Sequence, residues 1–413
     1  MKHLKGLVCL VVVFVFVVWS GKGLANEIVI GYTGPLSGPA AEYGQDIYSG
    51  IEMAVKEINA AGGITVAGKK YTFKLDKLDD RIDPTLTVNN ARRFKANKAI
   101  AVFNGVFNTL APMMKINEEK GSEFIVMAYT STPKVEELGN KLMVCTTTSF
   151  TPYVQAFAEW AMSKGWKKAA MVVTLGAYGD EWRSAFKEYW IKRGGEITAD
   201  KPANYYTETD FSSPIAAAIA TNPEVMLIGG PSATTALVIE QARSMGFKGG
   251  FILIDQAKQD YIAKLLKGTR VMGDLIGTGG VVSVPFEGAT VFEKKYTEQY
   301  KKMVTWECAL NYTGMYALAR AIVAAGSVDD IYKIREGFDK SFAQQPMLGD
   351  KYPNEAFGIN KTGRLLVLAS VQTITKGVSD PSVLYAWWPK SQQEVDDIKK
   401  LTAAKKNPVL WLK

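Results

Sequence analysis

Short apolar runs alternate with stretches of helical periodicity along most of the chain. The runs are rich in Val and Ile, as in EIVIGY, AIAVFNG, EFIVMAY, KAAMVVTL, EVMLIGG and GFILID. Runs of this kind are typical of strands that are buried on both faces of a parallel sheet. The pattern therefore predicts an α/β fold in which strands and helices alternate.

The stretch after the first run predicts a long helix. Apolar residues recur every three or four positions between Ile47 and Ile58, and Gly62-Gly63 then ends the pattern. A second helix is predicted to begin at Asp83-Pro84, where Asp is the N-cap and Pro occupies the first turn.

Two long segments repeat one order of elements, namely a polar turn, a helix, a glycine and a strand that ends in polar residues. The first segment ends near residue 132 and the second near residue 257. The repetition predicts two α/β lobes of similar construction. About 390 residues remain after removal of a leader, which is more than one hydrophobic core usually serves. In such sheets small ligands bind outside the carboxyl ends of the strands.

The N-terminus predicts an export signal. Lys2 and Lys5 precede thirteen apolar residues, Leu7 to Trp19, and small residues follow at Gly23 and Ala25. Cleavage after Ala25 gives an exported protein that we expect in the periplasm. A permanent membrane anchor is the weaker alternative, because a spanning helix needs about 20 apolar residues. Removal of residues 1–25 takes away three lysines and no acid, so the net charge falls from +8 to +5.

Composition narrows the classes of function. The paired cations are interspersed with acids, so no nucleic-acid partner is expected. The only histidine, His3, lies in the predicted signal. The mature chain therefore lacks an imidazole for nucleophilic catalysis or for a metal site, and we expect no enzyme, no metal and no cofactor. Cys145 and Cys308 leave two alternatives open, a disulfide or two buried thiols.

Nucleotide binding is not supported by the glycine patterns. Gly31, Gly34 and Gly38 do not follow the dinucleotide spacing, and the stretch 63–70, GITVAGKK, has Lys70 where a P-loop needs Ser or Thr. We interpret this second stretch as a turn between a helix and a strand.

Polar and aromatic side chains collect at the predicted strand ends instead. The candidates from position and chemistry are Tyr43, Asn108, Thr109, Tyr129, Ser131, Tyr178 and Asp255. Hydroxyls and helix-start N–H groups suit a ligand carboxylate, a lone carboxylate suits an ammonium group, and tyrosines offer an apolar wall with a polar tip. For each residue the alternative is a structural role, as a helix cap or in packing.

Several stretches give the sequence a family resemblance. The segment GPLSGPAAEYGQDIYSGIEMAVKEINAAGGI, followed by KLDDRIDP, TSTP, AYGDEW and IEQARSMGFKGGFILID, resembles the periplasmic leucine/isoleucine/valine-binding protein family. These proteins are the solute receptors of branched-chain amino acid ABC importers. The resemblance runs from about Glu27 to beyond Tyr316 and weakens toward the C-terminus.

The resemblance implies two Rossmann-like lobes with parallel central sheets, joined by a three-strand hinge and closing over a solute. The crossings are expected near residues 145–149, 273–283 and 366–372. The implied boundaries are 26–146 plus 280–368 for the first lobe and 147–279 plus 369–413 for the second. The family also implies a monomer that meets two partners, a small-molecule solute and the membrane permease of the importer.

Family ligand contacts map onto individual residues here. Tyr43, Ser131 and Tyr178 match ligand-binding hydroxyl positions, Tyr129 contributes backbone beside Ser131, and Asp255 matches the acid that receives the amino group.

Two departures concern the ligand. The turn FNGVFNTLAP replaces a serine-bearing turn that binds the ligand carboxylate in the family. Asn108, Thr109 or backbone N–H groups are therefore expected to hold the anion, and Phe107 to narrow or line the pocket. In GGPSATT, Pro231 and Ser232 replace a frequent tyrosine, which makes Ser232 a further candidate. The usual family disulfide is missing, since Ile82 and the FNGVFN turn supply no thiol.

The leading functional hypothesis is an exported solute-binding protein of an ABC importer, with a branched-chain or other aliphatic amino acid as ligand. An aromatic or other carboxylate without an amino group is the alternative ligand, suggested by Phe107 and the missing serine. A ligand-sensing receptor or regulator module is the alternative from another class of protein.

Overall fold

A computed structural model of the chain describes residues 26–284, 286–402 and 409–411. The predicted export signal, residues 1–25, lies outside the described residues. The described elements form two α/β lobes, each built around a mainly parallel sheet, and a short two-stranded ribbon. The predicted α/β fold with two lobes is confirmed. Among the helices that the structure describes, none combines the length and the apolar character needed to span a bilayer.

The N-terminal part of the chain forms the sheet of the first lobe. Its elements are β1 (Asn26–Gly34), α1 (Ala41–Ala60), β2 (Ile64–Val66), β3 (Lys69–Asp79), α2 (Pro84–Ala96), β4 (Ala101–Asn104), α3 (Phe107–Met113), β5 (Ile125–Ala128), α4 (Lys134–Glu137) and β6 (Met143–Cys145). The strands lie in the order β2-β3-β1-β4-β5-β6, and each neighbouring pair is parallel except β2 and β3.

Two local predictions in this part hold. The Asp83 carboxylate caps α2 by accepting hydrogen bonds from the N–H groups of Thr85 and Leu86, with Pro84 as the first helical residue. The stretch GITVAGKK is a turn, because β2 and β3 form an antiparallel hairpin across Ala67 and Gly68, both with positive φ.

The middle of the chain forms most of the second lobe. Its elements are α5 (Thr151–Ser163), β7 (Lys168–Val173), α6 (Ala177–Lys192), β8 (Glu196–Asp200), α7 (Ser212–Ile219), β9 (Val225–Gly229), α8 (Ser232–Ser244), β10 (Gly250–Leu253), α9 (Gln259–Leu265) and β11 (Leu275–Thr278). Strands β8, β7, β9, β10 and β11 are neighbours in that order and run parallel.

The C-terminal part of the chain contributes to both lobes. It comprises α10 (Glu287–Tyr300), α11 (Trp306–Ala325), α12 (Ile331–Gln344), β12 (Ala356–Ile359), β13 (Leu365–Val367), β14 (Ala369–Thr375), β15 (Val378–Ser379), β16 (Val383–Ala386), α13 (Gln392–Leu401) and β17 (Val409–Trp411). Helices α10 to α12 pack in the first core, and α11 lies against α1. Strand β14 joins the second sheet antiparallel to β11, followed by β16 and β17.

The chain therefore passes between the two sheets three times, after β6, after β11 and between β13 and β14. Arg364 fixes the first of these passages. Its fully buried guanidinium pairs with Glu136 at 2.6 Å and donates to the carbonyl oxygens of Thr130, Thr132 and Thr147 at 2.8–3.0 Å. Because each carbonyl receives a charged donor, this passage is held firmly to the first lobe.

The cysteine alternatives are also decided in the described structure. Cys145, at the end of β6, and Cys308, in the first turn of α11, are both buried and both free. Burial raises the pKa of each thiol, so both act as small neutral core residues.

Candidate functional site

A cleft lies where the carboxyl ends of the parallel strands of the two lobes face each other. The first lobe contributes the start of α1 and the loops after β4 and β5, and the second lobe contributes the start of α6 and the loop after β10. A cavity in the cleft has about 350 Å³ of space not filled by protein atoms, part of it open to solvent. Six of the nine predicted ligand-binding residues line it: Tyr43, Phe107, Tyr129, Ser131, Tyr178 and Asp255.

The wall of the first lobe is aromatic and neutral. The Tyr43 hydroxyl donates to the Gly105 carbonyl oxygen at 2.9 Å, and the Tyr43 and Tyr129 rings pack with their centroids 6.1 Å apart. Burial raises the pKa of both hydroxyls well above its ordinary value, so both stay protonated. Phe107 covers the cavity at the start of α3.

The wall of the second lobe carries a carboxylate with two fixed donors. Asp255 follows β10, and its Oδ1 accepts hydrogen bonds from the Tyr178 hydroxyl at 2.5 Å and from Trp182 Nε1 at 2.7 Å. Both donors lie on α6, which starts close to the end of β7 because Gly179 has no Cβ; a Cβ there would come within 1.8 Å of the Thr174 carbonyl oxygen. Asp255 Oδ2 accepts no hydrogen bond within the described part of the chain.

A buried ion pair joins the two walls. Lys258 Nζ of the second lobe lies 3.0 Å from Glu307 Oε1 at the start of α11, and the two side chains are only 5% and 4% exposed. The same ammonium group donates to the carbonyl oxygens of Asp255 at 2.6 Å and of Gln256 at 3.3 Å. An ammonium group has three donors, so these three acceptors occupy Lys258 completely.

Further polar contacts cross between the lobes around the cavity. Asn108 Oδ1 accepts a hydrogen bond from the backbone N–H of Ala177 at 3.0 Å. The Ser131 hydroxyl hydrogen-bonds the Tyr178 hydroxyl, and Thr132 hydrogen-bonds Glu181. The structure thus has the two lobes in contact over the cavity.

Three of the predicted residues do not line the cavity. Asn108 makes the contact with Ala177, on the outer side of the cleft. The buried Thr109 hydroxyl donates to Asn104 Oδ1 at 3.1 Å inside the first lobe. Ser232 Oγ accepts a hydrogen bond from the backbone N–H of Lys258 at 3.0 Å, so it supports the loop after β10. Ligand contact by these three side chains stays a prediction that this geometry does not support.

Residues 27–346 match the profile of the family described as periplasmic binding protein. The chain belongs to the periplasmic binding protein family. A Leu/Ile/Val-binding protein of Escherichia coli K12 is 28% identical to it over 237 residues, which make up 57% of this chain and 63% of that protein. The match therefore spans less than two thirds of that relative's length.

Solved structures show the same fold. A leucine-binding protein of Thermotoga maritima aligns with a TM-score of 0.71 at 24% identity and covers 86% of this chain and 98% of its own. A solute-binding protein of an ABC transporter from R. palustris, solved in complex with benzoate, aligns with a TM-score of 0.71 at 18% identity and covers 87% and 98%.

Sequence reasoning missed the charged pair of this periplasmic binding protein. Lys258 stands three residues after Asp255 in the same strand-end loop, and Glu307 is the one acid at the start of the apolar helix TWECALNYTGMYALARAI. A charged residue at a strand end or inside an apolar helix is stable there only with a partner, so the sequence does mark both residues as candidates for an ion pair. The lining residues Tyr206 and Gln256 were missed as well.

Proposed function

We propose that this periplasmic binding protein captures a small amphipathic solute with a positively charged amino group, first of all a branched-chain or other aliphatic amino acid. It holds the solute between its lobes in the periplasm and delivers it to the membrane permease of an ABC importer. The observation that carries the proposal is the carboxylate of Asp255, whose Oδ1 is fixed by two donors and whose Oδ2 is left to the cavity.

The charges of the cleft favour a cationic group on the solute. Lys258 and Glu307 neutralise each other at 3.0 Å, which leaves the charge of Asp255 without a counter-ion in the cavity. Asp255 is half-buried, and a solute that fills the cavity removes more of its water, so a solute ammonium group that pairs with the carboxylate is favoured. A solute carboxylate has neutral partners available, since the hydroxyl-bearing residues Thr130 and Thr147 line the cavity.

The relatives agree with this class of solute. The Escherichia coli relative is named for leucine, isoleucine and valine, and the Thermotoga maritima structure for leucine. The second candidate is a carboxylate without an amino group, which is supported by the benzoate complex of the R. palustris protein and by Phe107 in the lining. Such a solute leaves Asp255 unpaired, so we place it second.

Thermal shift and calorimetry with solute-free protein test the proposal. Leucine, isoleucine and valine are compared with benzoate; a solute at 100 times its Kd stabilises the protein by about 2.7 kcal/mol. Asp255→Asn is expected to weaken amino acid binding by roughly 2 to 5 kcal/mol, because the solute ammonium loses its counter-charge.

The control is Asp397→Asn, which removes a carboxylate from the exposed face of α13. Binding of benzoate but of no amino acid would reject the proposal in favour of the second candidate. Unchanged amino acid affinity in Asp255→Asn would reject the role of that carboxylate.

A further inference from the structure

A second cavity continues the cleft toward the passages between the lobes. It shares Tyr129, Thr147, Asp255 and Lys258 with the first cavity and also has about 350 Å³ of unfilled space. Its far part is lined by apolar side chains, those of Trp306, Leu310, Val367 and Leu368. A solute that pairs with Asp255 in the first cavity therefore lies directly beside this second one.

Three hydroxyls at this cavity are buried without a partner. They belong to Thr148, Thr278 and Ser370, which all line the cavity; the three residues are 3%, 3% and 2% exposed, and none of the hydroxyl oxygens makes a hydrogen bond within the described residues. Most buried polar atoms are hydrogen-bonded, so three orphans at one cavity require an explanation.

The position of Thr278 directs its side chain to the cleft. Thr278 and Lys258 are opposed in a parallel bridge, and side chains opposed on neighbouring strands project to the same face. The Lys258 side chain extends across the cleft to Glu307, so that face is the cavity face.

The three hydroxyls come from three different passages between the lobes. Thr148 belongs to the passage after β6, Thr278 ends β11, and Ser370 lies at the start of β14.

We propose that this cavity is a subsite for the distal end of the solute, and that the hydroxyls of Thr148, Thr278 and Ser370 hold a hydroxyl or carbonyl oxygen there. The inference rests on the proposed function, because the amino group of the same solute is assigned to Asp255. The solute is then an amino acid whose side chain has an apolar or aromatic body against Trp306 and Leu310 and one polar group at its tip. An aliphatic side chain would leave all three hydroxyls unpaired.

The pair L-phenylalanine and L-tyrosine tests the subsite, since the two amino acids differ by one distal hydroxyl. In calorimetry with the full mature chain, tyrosine is expected to bind at least about tenfold tighter than phenylalanine, as a site built to hydrogen-bond a hydroxyl discriminates against the analogue without it. In the triple variant Thr148→Val, Thr278→Val and Ser370→Ala, the preference is expected to fall to about threefold or less.

Thr198→Val is the matched control, because that hydroxyl bonds Thr221 away from the cleft. Equal binding of tyrosine and phenylalanine by the wild type, or a preference that survives in the triple variant, would overturn the subsite, while leucine binding by the wild type would still support the proposed function. If only benzoate and 4-hydroxybenzoate bind, the proposal that the solute has an amino group is rejected. The subsite is then tested by comparing the affinities of these two compounds, which also differ by one hydroxyl. Failure of all these compounds to bind overturns both.

Discussion

The two walls of the cleft differ in how they are built. The second lobe presents Asp255 and Lys258, both in the loop after β10, whereas the first lobe presents the neutral rings of Tyr43, Phe107 and Tyr129. Glu307 is the exception in the first lobe, and its charge is directed at Lys258. The charged residues that line the cavity therefore come from the second lobe, and the first lobe contributes neutral rings and a counter-charge for Lys258.

Asp255 and Lys258 also differ in which lobe supplies their partners. Asp255 is held by Tyr178 and Trp182 of its own lobe, so its orientation does not depend on contact between the lobes. The charged partner of Lys258 belongs to the other lobe. Opening of the cleft would leave the hydrogen bonds to Asp255 intact but would separate Lys258 from Glu307. The Lys258–Glu307 ion pair is therefore a contact specific to the closed form.

Removal of one partner of this pair is expected to have the largest effect. Lys258→Met leaves Glu307 buried without a counter-charge when the lobes meet, and such a loss costs about 3 to 5 kcal/mol. We expect a corresponding fall in solute affinity in calorimetry, and recovery of most of it in the double variant Lys258→Met, Glu307→Leu.

The exposed pair Lys295 and Glu57, also at 3.0 Å, is the control. Lys295→Met is expected to cost about 0 to 1 kcal/mol, because water screens that pair. Equal losses for Lys258→Met and Lys295→Met would contradict the assignment of a closure-specific contact.

The pH dependence of closure is expected to follow from Glu42 of the first lobe. Burial is the main cause that raises the pKa of Glu42 from 4.5 to about 7, and Asp46 raises it further, while Tyr261 and the Ala233 N–H of the second lobe lower it. The same kind of burial raises the pKa of Asp46 to about 6 against the opposing effect of Lys302.

A raised carboxyl pKa means that the closed form holds the proton more tightly than an open, solvated one. The contribution of protonated Glu42 to the stability of the closed form is complete below the ordinary pKa of 4.5 and is lost as the pH rises to about 7. Solute affinity is expected to fall about tenfold over this range and then to level off, since partial exposure of Glu42 weakens the effect. The fall should shrink in Glu42→Gln, measured by titration at several pH values; an unchanged pH profile would contradict this origin.

The sequence was sufficient to predict the fold, and six of the site residues that it indicated line one cavity; their contact with a solute stays a prediction. Val- and Ile-rich strands are stable only when helices cover both faces of their sheet, which predicts the fold. The carboxyl ends of parallel strands meet at one edge of the sheet, so Tyr43, Tyr129, Tyr178 and Asp255 could be assigned to a common cleft. These residues are positioned by their own lobe.

Contacts between the lobes could not be predicted in the same way. Lys258 and Glu307 belong to different lobes, and nothing local in either segment specifies which charge the other will meet. Asn108 was expected to hold a solute anion because the FNGVFNTLAP turn lacks the serine that the family resemblance implies, yet the approach of α6 from the second lobe gives its Oδ1 a backbone partner. Thr109 and Ser232 are likewise occupied by backbone or side-chain groups nearby.

Asn108→Ala is expected to have the smallest effect on affinity. It decides whether Asn108 contacts the solute or only holds the two lobes together. The variant removes one hydrogen bond to the Ala177 N–H between the lobes, with a net cost of about 0.5 to 1.5 kcal/mol. If Asn108 only stabilises the closed form, the affinities for leucine, isoleucine and benzoate, measured by calorimetry, fall by the same factor. A loss confined to particular solutes would show that Asn108 contacts the solute, as the sequence suggested. Asn90→Ala is the matched control, because the Asn90 amide donates to Thr33 and Asp79 within the first lobe and is expected to leave affinity unchanged.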